Sequence, residues 1–157
     1  DKWTEIKLKN SNIKLHMIGK LQSNKVKFAV KLFDYIHSVD SEKLAKKIAD
    51  EQKKINKRMK IFIQVNIGEE EQKSGIKKIE VNDLISYCKK IDLDVAGLMC
   101  LPPADKNSSI YFNEMNILNH TLGLSDLSMG MSSDYLEASK NSATYLRIGS
   151  SIFGERF

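Results

Sequence analysis

The fold class is decided by one stretch, Lys60-Ile61-Phe62-Ile63-Gln64-Val65-Asn66-Ile67. Its apolar residues are nearly continuous and mostly β-branched or aromatic, which predicts a strand covered on both faces, as in a parallel sheet. Similar apolar runs recur along the chain. The predicted strands cover residues 14–18, 35–39, 60–67, 94–99, 126–129 and 145–148.

Helical patterns lie between these strands, so the chain repeats one βα unit. The clearest helix covers residues 41–58, where Asp40 or Ser41 can cap the first turn and lysines gather at the negative end of the dipole. The other predicted helices cover residues 23–33, 79–91, 109–122 and 134–141. Repeated βα units form either an open doubly wound sheet or a barrel, and 157 residues favour the open sheet, because a complete barrel has about 250.

Composition indicates a single domain. No apolar run approaches the roughly 20 residues of a membrane helix, so no membrane association is expected. Cys88 and Cys100 form no spacing motif and are interpreted as reduced thiols of a cytoplasmic protein. The three histidines, His16, His37 and His120, have no metal-ligand neighbour at helical spacing, so no metal site is predicted.

The net charge of +5 raises the question of a nucleic-acid surface. No aromatic residues are interleaved with the basic ones for base stacking, so solvated helix faces explain the charge better and no nucleic-acid partner is expected. The basic residues concentrate at Lys53, Lys54, Lys57, Arg58 and Lys60, with the pairs Lys77-Lys78 and Lys89-Lys90.

The last predicted strand ends in a pattern suited to an anion. Tyr145-Leu146-Arg147-Ile148 runs into Gly149-Ser150-Ser151, where glycine lets backbone N–H groups approach a phosphate and the hydroxyls add donors. The alternative is a tight strand-to-helix turn that only caps the following helix.

Further motifs stand at the ends of other predicted strands. They are His16-Met17-Ile18-Gly19-Lys20-Leu21-Gln22-Ser23-Asn24-Lys25, Asn66-Ile67 with Lys73-Ser74-Gly75, Val95-Ala96-Gly97-Leu98-Met99, and Leu127-Ser128-Met129-Gly130-Met131-Ser132-Ser133-Asp134. In this order, from residue 16 to residue 157, they resemble the pyridoxal phosphate homeostasis protein family. Members of that family look like the N-terminal barrel of alanine racemase without its second domain.

The resemblance implies an α/β fold, a (β/α)8 TIM barrel of the alanine racemase N-terminal type, of which about the last six βα units are present. Residues 1–157 are then expected to be a single barrel domain that binds pyridoxal 5'-phosphate (PLP) and is incomplete at its N-terminus. The family's Schiff-base lysine is expected upstream of Asp1, so no catalytic residue is predicted within the chain. Two strand edges would then lie open.

The same resemblance implies PLP as the cofactor and assigns the binding residues. Arg147 is expected to face the pyridine nitrogen; because arginine can only donate, the nitrogen stays unprotonated and the ring is a poor electron sink. The alternative for Arg147 is a surface ion pair beside Glu155. The remaining predicted binding residues are Ser132, Gly149 and Ser150 for the phosphate, Met99 and Met131 for the pocket wall unless they are plain core packing, and His16 at the first strand end.

The implied function is a non-catalytic carrier and regulator in intracellular PLP homeostasis, monomeric when intact, with PLP-dependent enzymes as clients. The alternative is a PLP-dependent racemase-like enzyme, which needs a second acid–base group on the opposite face of the ring. In alanine racemase a tyrosine of another domain supplies that group, whereas the tyrosines here lie within helix or strand patterns. A third, less favoured hypothesis is that the chain is a basic segment that binds nucleic acid.

Overall fold

The computed structural model describes residues 2–104 and 107–154, and its centre is one parallel sheet. Neighbouring strands are parallel throughout, in the order β1-β2-β3-β4-β5-β6. The strands are β1 (His16–Met17), β2 (Tyr35–Val39), β3 (Lys60–Val65), β4 (Asp94–Cys100), β5 (Asp126–Met131) and β6 (Tyr145–Arg147). All six predicted strands are confirmed, with ends that move by up to two residues.

Helices connect the strands, as parallel pairing requires. They are α1 (Lys2–Lys9), α2 (Val26–Leu32), α3 (Glu42–Lys54), α4 (Val81–Lys90), α5 (Ser108–Thr121), α6 (Tyr135–Lys140) and α7 (Ser150–Phe153), and 3₁₀ turns at Ser23–Lys25 and Lys78–Glu80 lead into α2 and α4. The five predicted helices are confirmed. Helix α1 was not predicted, because its polar sequence carries no regular apolar stripe. Over the described ranges, no helix combines the length and apolar character needed to cross a membrane.

The strand order decides between the two architectures that the sequence left open. A doubly wound sheet reverses its strand order at a switch point, whereas here each strand pairs with the next one in the chain. The sheet also curves, because the rings of His16 on β1 and Tyr145 on β6 come within 5.6 Å of each other. The first and last strands therefore face each other across an interior, and the predicted barrel type is confirmed as a six-strand arc.

Two apolar layers enclose the sheet. The outer layer lies between strands and helices and includes Ile61 and Ile63 of β3 with Phe112 and Met115 of α5, all fully buried. The inner layer is small and aromatic: Phe62, Ala96 and Met99 pack with the half-buried residues Tyr35, Leu101 and Tyr145. Side chains of one strand thus alternate between the layers, which is why β3 is apolar on both faces.

Polar side chains fix the helix ends. The Ser41 hydroxyl accepts a hydrogen bond from the Leu44 N–H at 3.3 Å, which confirms the predicted cap of α3. Lys57 lies beyond the end of α2 and donates to the carbonyl oxygens of Val30, Lys31 and Phe33, which satisfies groups left unpaired at that end. Burial lowers the pKa of Lys57.

Helix α1 is held by one lysine. The Lys7 ammonium lies 2.7 Å from the Asp34 carboxylate, which also accepts the Leu15 N–H just before β1. Trp3, on the same helix, is more than half exposed. The ion pair joins α1 to the start of β2, at the end of the barrel opposite the strand carboxyl ends.

Gly97 permits a close approach between β4 and β5. A methyl group built on its α-carbon would overlap the carbonyl oxygen of Asp126, with which Gly97 is paired across β4 and β5. Both atoms belong to backbone in the middle of the sheet, so neither can move aside without breaking the pairing. The glycine of the Val95–Met99 motif is therefore explained by sheet packing.

Gly97→Ala is expected to lower the free energy of unfolding by about 3 kcal/mol, because overpacking of a rigid site forces backbone shifts. Gly19→Ala is the matched control, since a methyl group there meets no atom within 4 Å. Urea unfolding of both variants measures the difference. Equal midpoints for the two variants would show that the β4–β5 contact is not a constraint.

Candidate functional site

Two adjoining cavities open where the strands end. The cavity that we call the rim cavity has a volume of about 500 Å³, and the second, the interior cavity, has about 630 Å³. The rim cavity is lined by Met131, Ser132, Ser133, Arg147, Gly149, Ser150, Phe153 and Gly154. The interior cavity is lined by His16, Ile18, Gly19, His37, Leu101, Met131, Tyr145, Leu146, Arg147, Ile148 and Gly149. Arg147, Met131 and Gly149 border both, so the two cavities form one candidate site.

Backbone donors converge in the rim cavity. The Ser132 hydroxyl oxygen accepts hydrogen bonds from the N–H groups of Gly149 at 3.1 Å and Ser151 at 3.4 Å, and the Ser151 hydroxyl donates to the Ser132 carbonyl at 3.3 Å. A Cβ on Gly149 would meet no atom within 4 Å, so space lies open beside these donors. An anionic oxygen could therefore take the same N–H groups.

Arg147 is the buried cation of the site. Its Nη1 donates to the Ser128 hydroxyl and its Nη2 to the Cys100 carbonyl, both at 2.8 Å. Burial lowers the pKa of Arg147, yet a guanidinium stays charged at neutral pH. Two of its five N–H donors are used by these bonds, which leaves donors for a ligand in either cavity. Glu155, the alternative partner predicted for Arg147, lies outside the described residues.

Two histidines extend this arrangement across the interior. The Nδ1 of His37 lies 2.9 Å from the Ser128 hydroxyl, and its Nε2 lies 2.9 Å from Nδ1 of His16. Each ring is stacked on an aromatic neighbour, His37 on Phe62 and His16 on Tyr35, both with centroids 4.2 Å apart. The aromatic rings hold both imidazole planes in place.

The two histidines and Tyr145, which line the interior cavity with Arg147, are held neutral. Burial, together with the positive charges that His16 and Arg147 would present to it, lowers the pKa of His37 to about 3. Burial also lowers the pKa of His16, and burial with hydrogen bonding to Tyr35 raises the pKa of Tyr145 to about 12. Arg147 thus provides the positive charge of the interior at neutral pH.

The structure brings six of the seven predicted binding residues to the cavities. Arg147, Met131 and Gly149 border both, Ser132 and Ser150 border the rim cavity, and His16 borders the interior cavity. Met99 lies deeper: it is in register with Ser128, is 1% exposed, and packs in the inner layer with Phe62 and Ala96. Its surroundings are those of a core residue.

His37 and Ser128 belong to this site but were not among the predicted binding residues. Each is buried within a strand, His37 at 1% and Ser128 at 0% exposure. A signal existed, because Tyr35 and His37 are two residues apart on β2 and must share a face. Within the described ranges, His, Cys, Asp and Glu side chains form no group of three suited to a metal ion.

Two motif segments that had no assigned role stabilise loops. The Lys73 ammonium lies 2.6 Å from Glu70 and donates to the Pro102 carbonyl at 3.1 Å, which links the loops that follow β3 and β4. The Asn66 side chain accepts from the Glu70 N–H and donates to the Glu70 carbonyl. Gly75 has φ of +116°, a backbone conformation that favours glycine.

Sequence comparison with known proteins identifies one family profile and relatives that share one name. The family profile described as "Alanine racemase, N-terminal domain" matches residues 5–157. A protein of Aquifex aeolicus called pyridoxal phosphate homeostasis protein is 36% identical over 159 residues, which cover 95% of this chain and 70% of that protein. Its namesake in Vibrio alginolyticus is 35% identical, with coverage of 94% and 67%.

Solved structures agree with the sequence relatives. PipY of Synechococcus elongatus, solved without PLP, has a TM-score of 0.88 at 28% identity and covers 98% of this chain, while this chain spans 78% of PipY. PipY with PLP bound also has a TM-score of 0.88, with coverage of 96% and 75%. Alanine racemase of Clostridium difficile, at a TM-score of 0.71 and 16% identity, shares the fold.

The lowered pKa of His37 predicts that the free energy of unfolding decreases as the pH falls. The unfolded chain takes up a proton at His37 near pH 6.5, whereas folded His37 stays neutral down to about pH 3, so the folded state loses stability as pH falls between these values. One proton contributes a slope of about 1.4 kcal/mol per pH unit. Urea unfolding between about pH 7 and 4.5 measures the slope.

His37→Gln is expected to flatten this slope, and His120→Gln, at an exposed position on α5, is expected to keep it. Both variants remove one imidazole, so the comparison separates the buried ring from histidine content. A His37→Gln slope equal to that of the wild type would mean that His37 is not held neutral by the fold.

Proposed function

Since this chain belongs to the alanine racemase N-terminal domain family, and within it to the pyridoxal phosphate homeostasis proteins, we propose that it binds PLP and takes part in intracellular PLP homeostasis. The observation that carries the proposal is the set of backbone N–H groups around the Ser132 hydroxyl, directly beside the Arg147 guanidinium. The N–H groups suit the phosphate of a pyridine phosphate, and the guanidinium, which can only donate, suits its ring nitrogen.

The rim cavity fits the phosphate of PLP. Gly149 and Ser151 supply backbone N–H groups, and Ser132 and Ser150 supply hydroxyls at the same turn. The open space beside Gly149 leaves room for the tetrahedral group. In this proposal the Ser132 hydroxyl turns from accepting two N–H groups to donating to a phosphate oxygen.

Arg147 fits the pyridine nitrogen. Bound PLP supplies an aldehyde that captures amines and a ring that can withdraw electrons. A guanidinium offers only donors, so it holds the ring nitrogen as an unprotonated acceptor and weakens that withdrawal. Its bonds to Ser128 and the Cys100 carbonyl keep the guanidinium in one orientation.

The surroundings of Arg147 support a non-catalytic role. In the described part of the chain, neither cavity is lined by a carboxylate, and Tyr145 keeps its proton at neutral pH because its pKa is raised to about 12. His16 and His37 line the interior cavity, but burial lowers the pKa of both rings and makes them weak bases. The cavity walls thus offer poor acceptors for an α-proton of an amino acid. Loss of α-deuterium from amino acids on the protein fully loaded with PLP would overturn this role and favour the racemase-like alternative.

We also propose that the protein is a cytoplasmic monomer and acts as a carrier that exchanges PLP with PLP-dependent enzymes. Cys88 and Cys100 are buried free thiols, and burial raises the pKa of both to about 12, which keeps them inert and suits a reducing compartment. Transfer of PLP from the loaded protein to an apo-enzyme, followed by that enzyme's recovered activity, tests the carrier role.

Ser132→Ala with Ser150→Ala is expected to weaken PLP binding by at least about tenfold, because two hydroxyls that serve a charged group are lost. The measurement is titration of the full-length protein with PLP and, separately, with pyridoxal, which lacks the phosphate. Ser139→Ala, exposed on α6, is the control. An equal loss of affinity for pyridoxal would show that these serines do not hold the phosphate.

Arg147→Ala is expected to change the absorption spectrum of bound PLP while binding is partly retained through the phosphate. Without the guanidinium, the ring nitrogen becomes free to take up a proton, so its ionisation should appear in a spectral pH titration. Arg58→Ala removes an exposed arginine and serves as the control. A spectrum that stays unchanged in Arg147→Ala would place the ring elsewhere.

A further inference from the structure

One chain of hydrogen bonds crosses the interior and joins four strands. It runs from Arg147 on β6 to Ser128 on β5, to His37 on β2 and to His16 on β1, with distances of 2.8, 2.9 and 2.9 Å. Ser128 lines neither cavity, and His37 lines only the interior cavity. Direct contacts with a ligand therefore do not explain all of this hydrogen-bond chain.

Ser128 determines which group donates and which accepts in each hydrogen bond of this series. Arg147 can only donate, so the Ser128 oxygen accepts there. If His37 also donated to that oxygen, the Ser128 proton would need a third partner, and within the described residues Ser128 bonds through its hydroxyl to Arg147 and His37 alone. Ser128 is 0% exposed, so an unpaired proton would be costly. Ser128 therefore donates to Nδ1 of His37.

The tautomers of both histidines follow from this direction. With Nδ1 accepting, neutral His37 carries its proton on Nε2 and donates it to Nδ1 of His16. Neutral His16 then carries its own proton on Nε2, which is left without a hydrogen-bond partner among the described residues while His16 lines the interior cavity. Stacking on Phe62 and Tyr35 keeps both rings in the planes that this chain requires.

We propose that Ser128 and His37 are positioning residues that relay the orientation of Arg147 across the barrel, so that His16 faces the interior cavity as a neutral N–H donor. The inference rests on the proposed function, because the matching acceptor is an oxygen of the bound PLP or of an amine-bearing molecule attached to it. The cavity then selects ligands with a ring acceptor at Arg147 and an oxygen acceptor at His16. Ligands that present a donor at His16 are disfavoured.

The decisive measurement is the tautomeric state of the histidines in the ligand-free full-length protein. Two-bond ¹H–¹⁵N correlation spectra of protein labelled at histidine distinguish protonated from unprotonated ring nitrogens, and His120→Gln and His37→Gln assign the signals. The expected result is a proton on Nε2 of both His37 and His16. A proton on Nδ1 of His37 would overturn the proposal.

Ser128→Ala tests the relay itself. Removing the hydroxyl is expected to shift the tautomer population of both histidines and to weaken PLP binding by about tenfold, as loss of one hydrogen bond to a charged group does. Ser38→Ala is the matched control, since Ser38 is an equally buried serine that bonds to the Gly19 carbonyl. Unchanged tautomers in Ser128→Ala would overturn the relay.

PLP binding and the relay can be disproved separately. If the wild-type protein does not bind PLP, the proposed function is wrong, and the proposed acceptor falls with it. If the wild-type protein binds PLP while His37 has the opposite tautomer, the function stands and the relay is wrong. The tautomers are read on the wild-type protein, with His120→Gln and His37→Gln used only to assign its signals, so the result does not depend on whether Ser128→Ala folds.

Discussion

Parallel pairing of consecutive strands is the constraint on which this molecule depends. Each strand must be followed by a crossover, and with the strand order unreversed the crossovers lie on one side of the sheet. The other side curves inward and has to be filled by the strands' own side chains, chiefly Phe62, Met99, Tyr35 and Tyr145. Because all strands run the same way, their carboxyl ends meet at one rim, and the site is built there.

A buried guanidinium sets the chemistry of that interior. Arg147 cannot release its proton, so the strands around it supply acceptors: a hydroxyl from β5 and a carbonyl from β4. Burial, together with the positive charges that His16 and Arg147 would present to it, lowers the pKa of His37, so this ring adds no charge to the interior at neutral pH. Among the described residues, the site thus presents backbone N–H donors at its rim and the Arg147 cation beside them.

Much of this could be predicted from local sequence. The apolar run of β3 identified a parallel sheet, and polar or glycine residues after strands identified the rim, because parallel strand ends must converge. The choice between barrel and open sheet could not be made locally, since strand order depends on pairing between distant segments. The contact between His37 and Ser128 could not be predicted for the same reason, because the two residues are 91 positions apart in the chain. The position of Met99 at a strand end is compatible with either the pocket wall or core packing, and only its register with Ser128 places it in the inner layer.

The docking of α1 by the Lys7–Asp34 ion pair has a consequence for spectroscopy. The chain's single tryptophan, Trp3, sits on that helix and is exposed, whereas Tyr35 and Tyr145 lie inside the barrel beside the histidines. Tryptophan emission therefore reports whether the N-terminal helix is attached and carries no information about the cavity. The near-ultraviolet circular dichroism of the tyrosines is the optical signal that reads the interior.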